Sequence, residues 1–300
     1  MAVGDRPPLA PVDRATLAYL AVALAFNLAR GPREWPLVLL LPAALGLAAA
    51  VAAFLAPRAR RAGPLGRLVG EAYPLLLTLG LYTHVGLVNR AGGVAHDALV
   101  QRWEEAVFGG QVSLAWIRAF PAPWWSNLLH GAYLSYYLIL AGTPLGLWAA
   151  GRRAAARDAV FLMMATFYAC YAVFLAFPVA GPRYFFAPAA NAATAAPLAR
   201  LTHRLLETGS AWGTAFPSSH VAVALVAAAM AWRGLRPLGA VLVPLAALLS
   251  LGTVYGQLHY GVDALAGALV AALMLLLPLP RRYDPDSHDG APGATGGSSR

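Results

Sequence analysis

The stretch GQLHYGVDALAGALVA (256–271) is oily enough to live in lipid, yet it sets His259 and Asp263 four residues apart. On a helix that spacing puts both on one face, close enough for the carboxylate to accept the imidazole N–H. Such a contact fixes the tautomer, points the other ring nitrogen outward and stabilises the positive charge formed when that nitrogen reacts. Upstream, AFPSSHVA (215–222) carries His220 beside Ser218 and Ser219. Pro217 there suits the first position of a helix. The unpaired amides that would follow it, with the two serine hydroxyls, make donors for an anion. A third stretch, FPVAGPRYFF (177–186), supplies Arg183, a planar and permanently charged fork suited to phosphate. Together these residues describe a phosphate pocket with two imidazoles in it.

The elements that must position them follow from composition. The chain has 300 residues, 59% hydrophobic and only 12% charged, with a net charge of +9 carried by arginine alone. Its mean hydropathy is +0.60. That profile predicts an all-α polytopic transmembrane bundle of six to eight spans with short amphipathic interfacial helices. The single cysteine, Cys170, excludes a disulfide framework and a thiolate metal site, and no cofactor is implied. The arginines fall in short loops between apolar runs, as topology signals rather than a nucleic-acid surface.

Apolar runs lie at 15–29, 37–56, 71–88, 127–149, 159–180, 217–232, 237–255 and 260–279. The first is short enough to be interfacial. Three regions are expected: membrane helices over 1–69, a membrane core over 70–280, and a Gly/Ser-rich disordered tail over 281–300. If all eight runs span, one side of the bilayer holds fourteen arginines and the other eight. The richer side, with both termini, is then cytoplasmic. The same topology carries Arg183, His220, His259 and Asp263 to the outer boundary from three separate segments. Ionisable groups at membrane depth are expensive when unpaired, about 2.5–3.5 kcal/mol each, and mark functional sites.

Around this constellation, PLARLTHRLLE (197–207) reads as an amphipathic helix with leucines on one face and Arg200 and Arg204 on the other. A second amphipathic pattern over 94–120 breaks at Gly109 and Gly110. Tyr184, Arg200, Arg204, His130 and Tyr136 are the candidate substrate contacts. Other chemistries use the same residues. His220, His259 and Asp263 are three ligands for a catalytic metal. A serine hydrolase would use Ser218 or Ser219, without the glycine-flanked turn such a nucleophile sits on. A transporter would use the charges as a relay, but the paired broken helices of transporters are missing from the pattern.

PSSH at 217–220 followed by HYGVD at 259–263 resembles the second and third signature motifs of the phosphatidic acid phosphatase type 2 superfamily. The resemblance is nearest to its inositol phosphorylceramide synthase branch and covers roughly residues 70–280, with HDALVQRWEEAVFGG and YLSYY included. It implies an integral enzyme, in the plasma membrane and facing outward, acting without metal on a lipid phosphate or phospholipid. It also implies His259 as nucleophile, Asp263 as its orienting partner and His220 as general acid. Arg183 and the amides of Ser218 and Ser219 would hold the phosphoryl oxygens. The chain departs from the phosphatase pattern where Ala176 and Thr253 stand in place of two cations. Fewer cations suit a less charged phosphodiester or lipid-linked substrate.

Overall fold

The computed structural model describes residues 9–30 and 35–279, and among them the chain is helical, with one isolated parallel bridge between Val179 and Thr214. The tail 281–300, and with it the expectation of disorder there, lies outside the described residues, as do Arg6, Arg33, Arg281, Arg282 and Arg300 of the arginine tally. In chain order the helices are α1 (Pro11–Arg30), α2 (Trp35–Ala50), α3 (Ala56–Arg61), α4 (Pro64–Gly92), α5 (Asp97–Phe108), α6 (Val112–Ala119) and α7 (Pro123–Leu134). They continue as α8 (Tyr136–Ala149), α9 (Arg153–Ala176), α10 (Pro182–Phe185), α11 (Pro197–Gly209), α12 (Ser219–Gly234), α13 (Arg236–Tyr255) and α14 (Gly261–Leu276). A five-residue π-helical segment, Val51–Leu55, joins α2 to α3.

By length and composition, four described stretches are able to cross a membrane: Pro11–Ala29, Leu40–Arg61, Arg153–Ala176 and Arg236–Tyr255. The chain is thus an integral membrane protein. Against the expected six to eight spans, α12 and α14 are apolar but only 16 residues each. The run 127–149 divides into α7 and α8 at Ser135, whose hydroxyl turns back onto Ala132 O at 2.6 Å. The amphipathic pattern over 94–120 becomes α5 and α6, separated where Gly109 takes the left-handed conformation (φ 72°) that a side chain resists. Two buried acids at the arginine-rich end are paired. Asp13 accepts from Arg60 at 3.1 Å and from Tyr73 at 2.8 Å, and Glu71 lies 3.6 Å from Arg157.

α12 is the axis of the bundle. Its sequence SHVAVALVAAAMAWRG is apolar on every side, and it is buried over most of its length against α8, α9, α13 and α14. A helix without a polar face belongs in the interior. Its many alanines let neighbouring backbones approach closely, the mode of packing that works where lipid offers no hydrophobic gain. The closest approach to α14 is at Gly267, where a Cβ would lie 2.5 Å from Ser218 O and 3.2 Å from the Val221 Cβ. That contact sets α14 against the first turn of α12. We predict that Gly267→Ala lowers stability by about 1–3 kcal/mol through overpacking. Thermal unfolding in detergent measures it, and an unchanged midpoint would show that the helices separate freely here.

Candidate active site

The site is assembled from three backbone corners, each fixed by hydrogen bonds that its own sequence requires. The first is the start of α12. Ser218 is the N-cap: its backbone is extended and its hydroxyl accepts from Val221 N at 3.4 Å. Pro217 therefore stands before the cap, not at the first helical position as the sequence suggested. The Ser218 amide is not free for an anion either, because it donates to Asp263 O at 2.9 Å. The tight fit at Gly267 brings that carbonyl within reach. His220 follows in the first turn, 3.4 Å from the Tyr133 hydroxyl through Nε2, with the Tyr136 ring 4.6 Å away.

The second corner is the turn Gly256–Tyr260 between α13 and α14. The amides of Leu258 and His259 both return to Thr253 O at 3.0 Å, and Gln257 adopts positive φ (58°) to let the chain reverse. His259 Nδ1 lies 3.0 Å from Ala215 O. A carbonyl can only accept, so Nδ1 carries the proton and Nε2 keeps its lone pair. The expected partner, Asp263, is farther, at 3.5 Å through Oδ2. That oxygen is committed to capping α14 by accepting from Tyr260 N at 2.8 Å. The backbone carbonyl thus orients the imidazole, and Asp263 sits behind it. Burial pushes the His259 pKa down from 6.5 to about 4, against the upward pull of the Ala215 hydrogen bond, so the ring is neutral at pH 7.

The third corner carries Arg183. Ala215 N donates to Val179 O at 2.8 Å, zipping residues 179–181 onto the strand-like segment before α12. Asp97, at the start of α5, accepts from Ala180 N and Gly181 N, both at 2.8 Å. Two turns along α5, Glu104 accepts from Gly261 N at 3.0 Å and Val262 N at 2.9 Å, the first amides of α14. The Tyr260 hydroxyl joins the two, donating to Asp97 Oδ1 at 3.1 Å while accepting from Gln101 at 2.9 Å. Asn89 adds a further tie, donating to Phe174 O at 3.0 Å and Gly213 O at 2.9 Å. None of Asp97, Gln101, Glu104 and Asn89 stands out in the sequence pattern as a functional residue. Acids on an amphipathic helix read as its wet face, whereas Asp97 and Glu104 are 1% and 0% exposed.

These corners close on a small cavity lined by Arg183, His220 and His259 together with Tyr133, Thr214 and Ala215. The two imidazole rings stand 5.7 Å apart. Arg183 donates to Leu206 O at 3.2 Å and lies 5.4 Å over the Tyr184 ring. Ser219 and Tyr136 line an adjoining, larger chamber. Arg200, Arg204 and Tyr184 face outward and line neither space; the part of α11 that does is Leu206, with Gly209 and Ser210 beyond it. His130 is also outside both, buried with Nδ1 2.8 Å from Ser126 O and its ring 6.1 Å from Tyr255. Asp263 reaches only the Nδ1 edge of His259. Among the described residues no group of three or more His, Cys, Asp or Glu side chains is arranged to hold a metal ion.

The profile of one protein family, the PAP2 superfamily, matches residues 99–277, more than half of the chain and all three corners. The chain belongs to the PAP2 superfamily. No curated protein and no solved structure matches it. Membership makes this PAP2 protein a phosphatase-type lipid phosphoesterase, and the match spans Glu104 and the two histidines. If His259 attacks phosphorus, its neutral form is the one that reacts, and protonation removes that form as pH falls through about 4. We expect the acid limb of kcat/KM, which reports the free enzyme, to lie near pH 4–5 instead of near 6.5. An acid limb at 6.5 would mean that His259 is solvated in the working enzyme.

Proposed function

We propose that this PAP2 protein transfers or hydrolyses a lipid-linked phosphate ester through a phosphohistidine on His259, in the manner of the inositol phosphorylceramide synthase branch. One observation carries this reading: the cavity holding Arg183, His220 and His259 shares Tyr82, Tyr133, Leu206 and His220 with an apolar chamber of about 300 Å³. Leu75, Leu79, Leu140 and Phe167 contribute to that chamber. A polar reaction centre that continues into an apolar chamber suits a molecule with a charged head and an oily body.

In the proposed reaction Nε2 of His259 attacks phosphorus and a P–N bond forms as the ester P–O bond breaks. The departing oxygen takes a proton from His220, whose protonated form the phosphate charge favours. Water or an alcohol then gives its proton back to His220, attacks phosphorus and releases His259. Arg183 binds the phosphoryl oxygens, and Asp263 stabilises the charge on the modified ring. Splitting one displacement into two is what a histidine nucleophile contributes. With Ala176 and Thr253 in place of cations, the pocket suits a phosphodiester or lipid-linked phosphate better than a highly charged soluble one. The reading also takes α4, α7 with α8, α12 and α14 as spans, and the arginine bias as setting the site at the outer leaflet of the plasma membrane.

Purified protein incubated with lipid phosphates and phospholipids, with and without inositol or other alcohols, tests this directly. Released phosphate identifies a phosphatase, and a new phosphodiester identifies a transferase. We expect His259→Ala and His220→Ala each to lower turnover by at least about a thousandfold, and Asp263→Asn by about 10–100-fold. His259→Ala should also abolish acid-labile phosphate labelling of the protein. Activity should survive EDTA and fall with vanadate. Full turnover in folded His259→Ala would end the nucleophile assignment.

A further inference from the structure

We propose that Glu104 and Asp97 are positioning residues that couple the two halves of the site, an inference that rests on reading His259 as nucleophile and Arg183 as phosphate ligand. α5 contributes no side chain to the cavity. It is nevertheless the element that meets both the turn after His259 and the loop before Arg183. Glu104 takes the first two amides of α14, Gly261 and Val262, at 3.0 and 2.9 Å. Those amides have no intrahelical acceptor, and in a dry site each would be costly if left unpaired. His259 lies two residues before this clamp. Asp97 takes Ala180 N and Gly181 N at 2.8 Å each, and Arg183 lies two residues after it. The Tyr260 hydroxyl, held between Asp97 and Gln101, closes the loop from one clamp to the other.

The chemistry of the clamp requires carboxylates. Each accepts two N–H groups, one on each oxygen, and offers no donor of its own. A glutamine or asparagine at the same place keeps one acceptor and turns an NH₂ group towards the second amide, donor against donor. That amide loses its partner and the segment it belongs to moves. The displacement reaches the reacting atoms because His259 and Arg183 are each two residues from a clamped amide, and in-line attack tolerates little misplacement: about 1 Å corresponds to about a hundredfold in rate.

The test compares Glu104→Gln, Glu104→Asp, Asp97→Asn and Tyr260→Phe with the exposed neighbour Glu105→Gln as control. Each is assayed in detergent for kcat, KM and the single-turnover rate of phosphoenzyme formation. We expect Glu104→Gln to lower kcat and phosphoenzyme formation by about 10–100-fold with KM within about twofold. Glu104→Asp, which keeps the carboxylate, should recover part of that loss. Asp97→Asn should raise KM as well, because Arg183 moves with its loop. Tyr260→Phe should lower kcat by about 3–10-fold, and Glu105→Gln should match the parent. If Glu104→Gln fails to fold, Glu104→Asp and Tyr260→Phe carry the decision. Parental kcat in folded Glu104→Gln, or in the latter two, overturns the positioning role while the phosphohistidine reading stands. A parent enzyme that forms no phosphoenzyme at all overturns the underlying reading instead.

Discussion

A single residue, Ala215, holds the reaction centre together through the two peptide groups that flank its Cα. Its N–H donates to Val179 O at 2.8 Å and its carbonyl faces His259 Nδ1 at 3.0 Å. The first bond aligns the segment that leads to Arg183, and the second sets the tautomer and direction of His259. Ala215 also stands five residues before His220, on the chain that enters α12. Three sequence-distant groups are therefore referred to one residue. The cause is an accounting of polar groups: buried backbone N–H and C=O must be paired, and a membrane-embedded site supplies little water to do it. The upstream loop is held to the same standard, with Asn89 on Gly213 O and the Thr214 hydroxyl on Ala211 O at 2.7 Å.

The convergence of Arg183, His220 and His259 was legible in the sequence because it depends on topology. Apolar runs bounded by arginine and proline give helix ends, and alternating helix directions give the side on which each end emerges. That reasoning needs only residue types. The partners that hold the groups in place were not legible for a matching reason: Ala215, Thr253 and the Asp263 carbonyl act through the backbone, which carries no residue signature. Asp97 and Glu104 were hidden differently. The amphipathic pattern over 94–120, broken at Gly109 and Gly110, becomes α5 and α6. Periodicity identifies a polar face without saying what that face meets, and here it meets unpaired amides. His130 shows the converse error. A histidine toward the outer end of a helix looked available, but its ring is turned onto Ser126 and Tyr255.

The arrangement also explains how a site for an anion tolerates three buried carboxylates nearby. Glu104 and Asp97 each spend both oxygens on backbone N–H groups, and Glu104 faces the positive end of α14. Their charge is matched locally and directed away from the cavity. Within the cavity, the guanidinium of Arg183 is the cation that the proposed reaction assigns to the phosphate, and the pairing of Arg183 with Leu206 O ties it to α11. The leucine face of α11 remains exposed at Leu201 and Leu205, so the helix joins an exposed apolar face to the pocket wall at Leu206.

Asp263 is the carboxylate left for His259, and its distance matters for the proposed chemistry. In the resting ring, Nδ1–H is given to the neutral Ala215 carbonyl, while the Asp263 Oδ2 stays 3.5 Å away, engaged by Tyr260 N. A full hydrogen bond to a buried carboxylate would favour the protonated imidazole and occupy the lone pair that must attack. Held half an ångström back by its capping duty, the carboxylate leaves the ring neutral, in keeping with a pKa pushed down to about 4. In the proposed phosphohistidine the ring would be cationic, and a carboxylate at that range in a low-dielectric wall would be worth far more to it than to the neutral ring. In the proposed reaction the helix cap and the partner of the nucleophile are then one group: the requirement to satisfy Tyr260 N holds Asp263 where it would stabilise the charged intermediate more than the resting state.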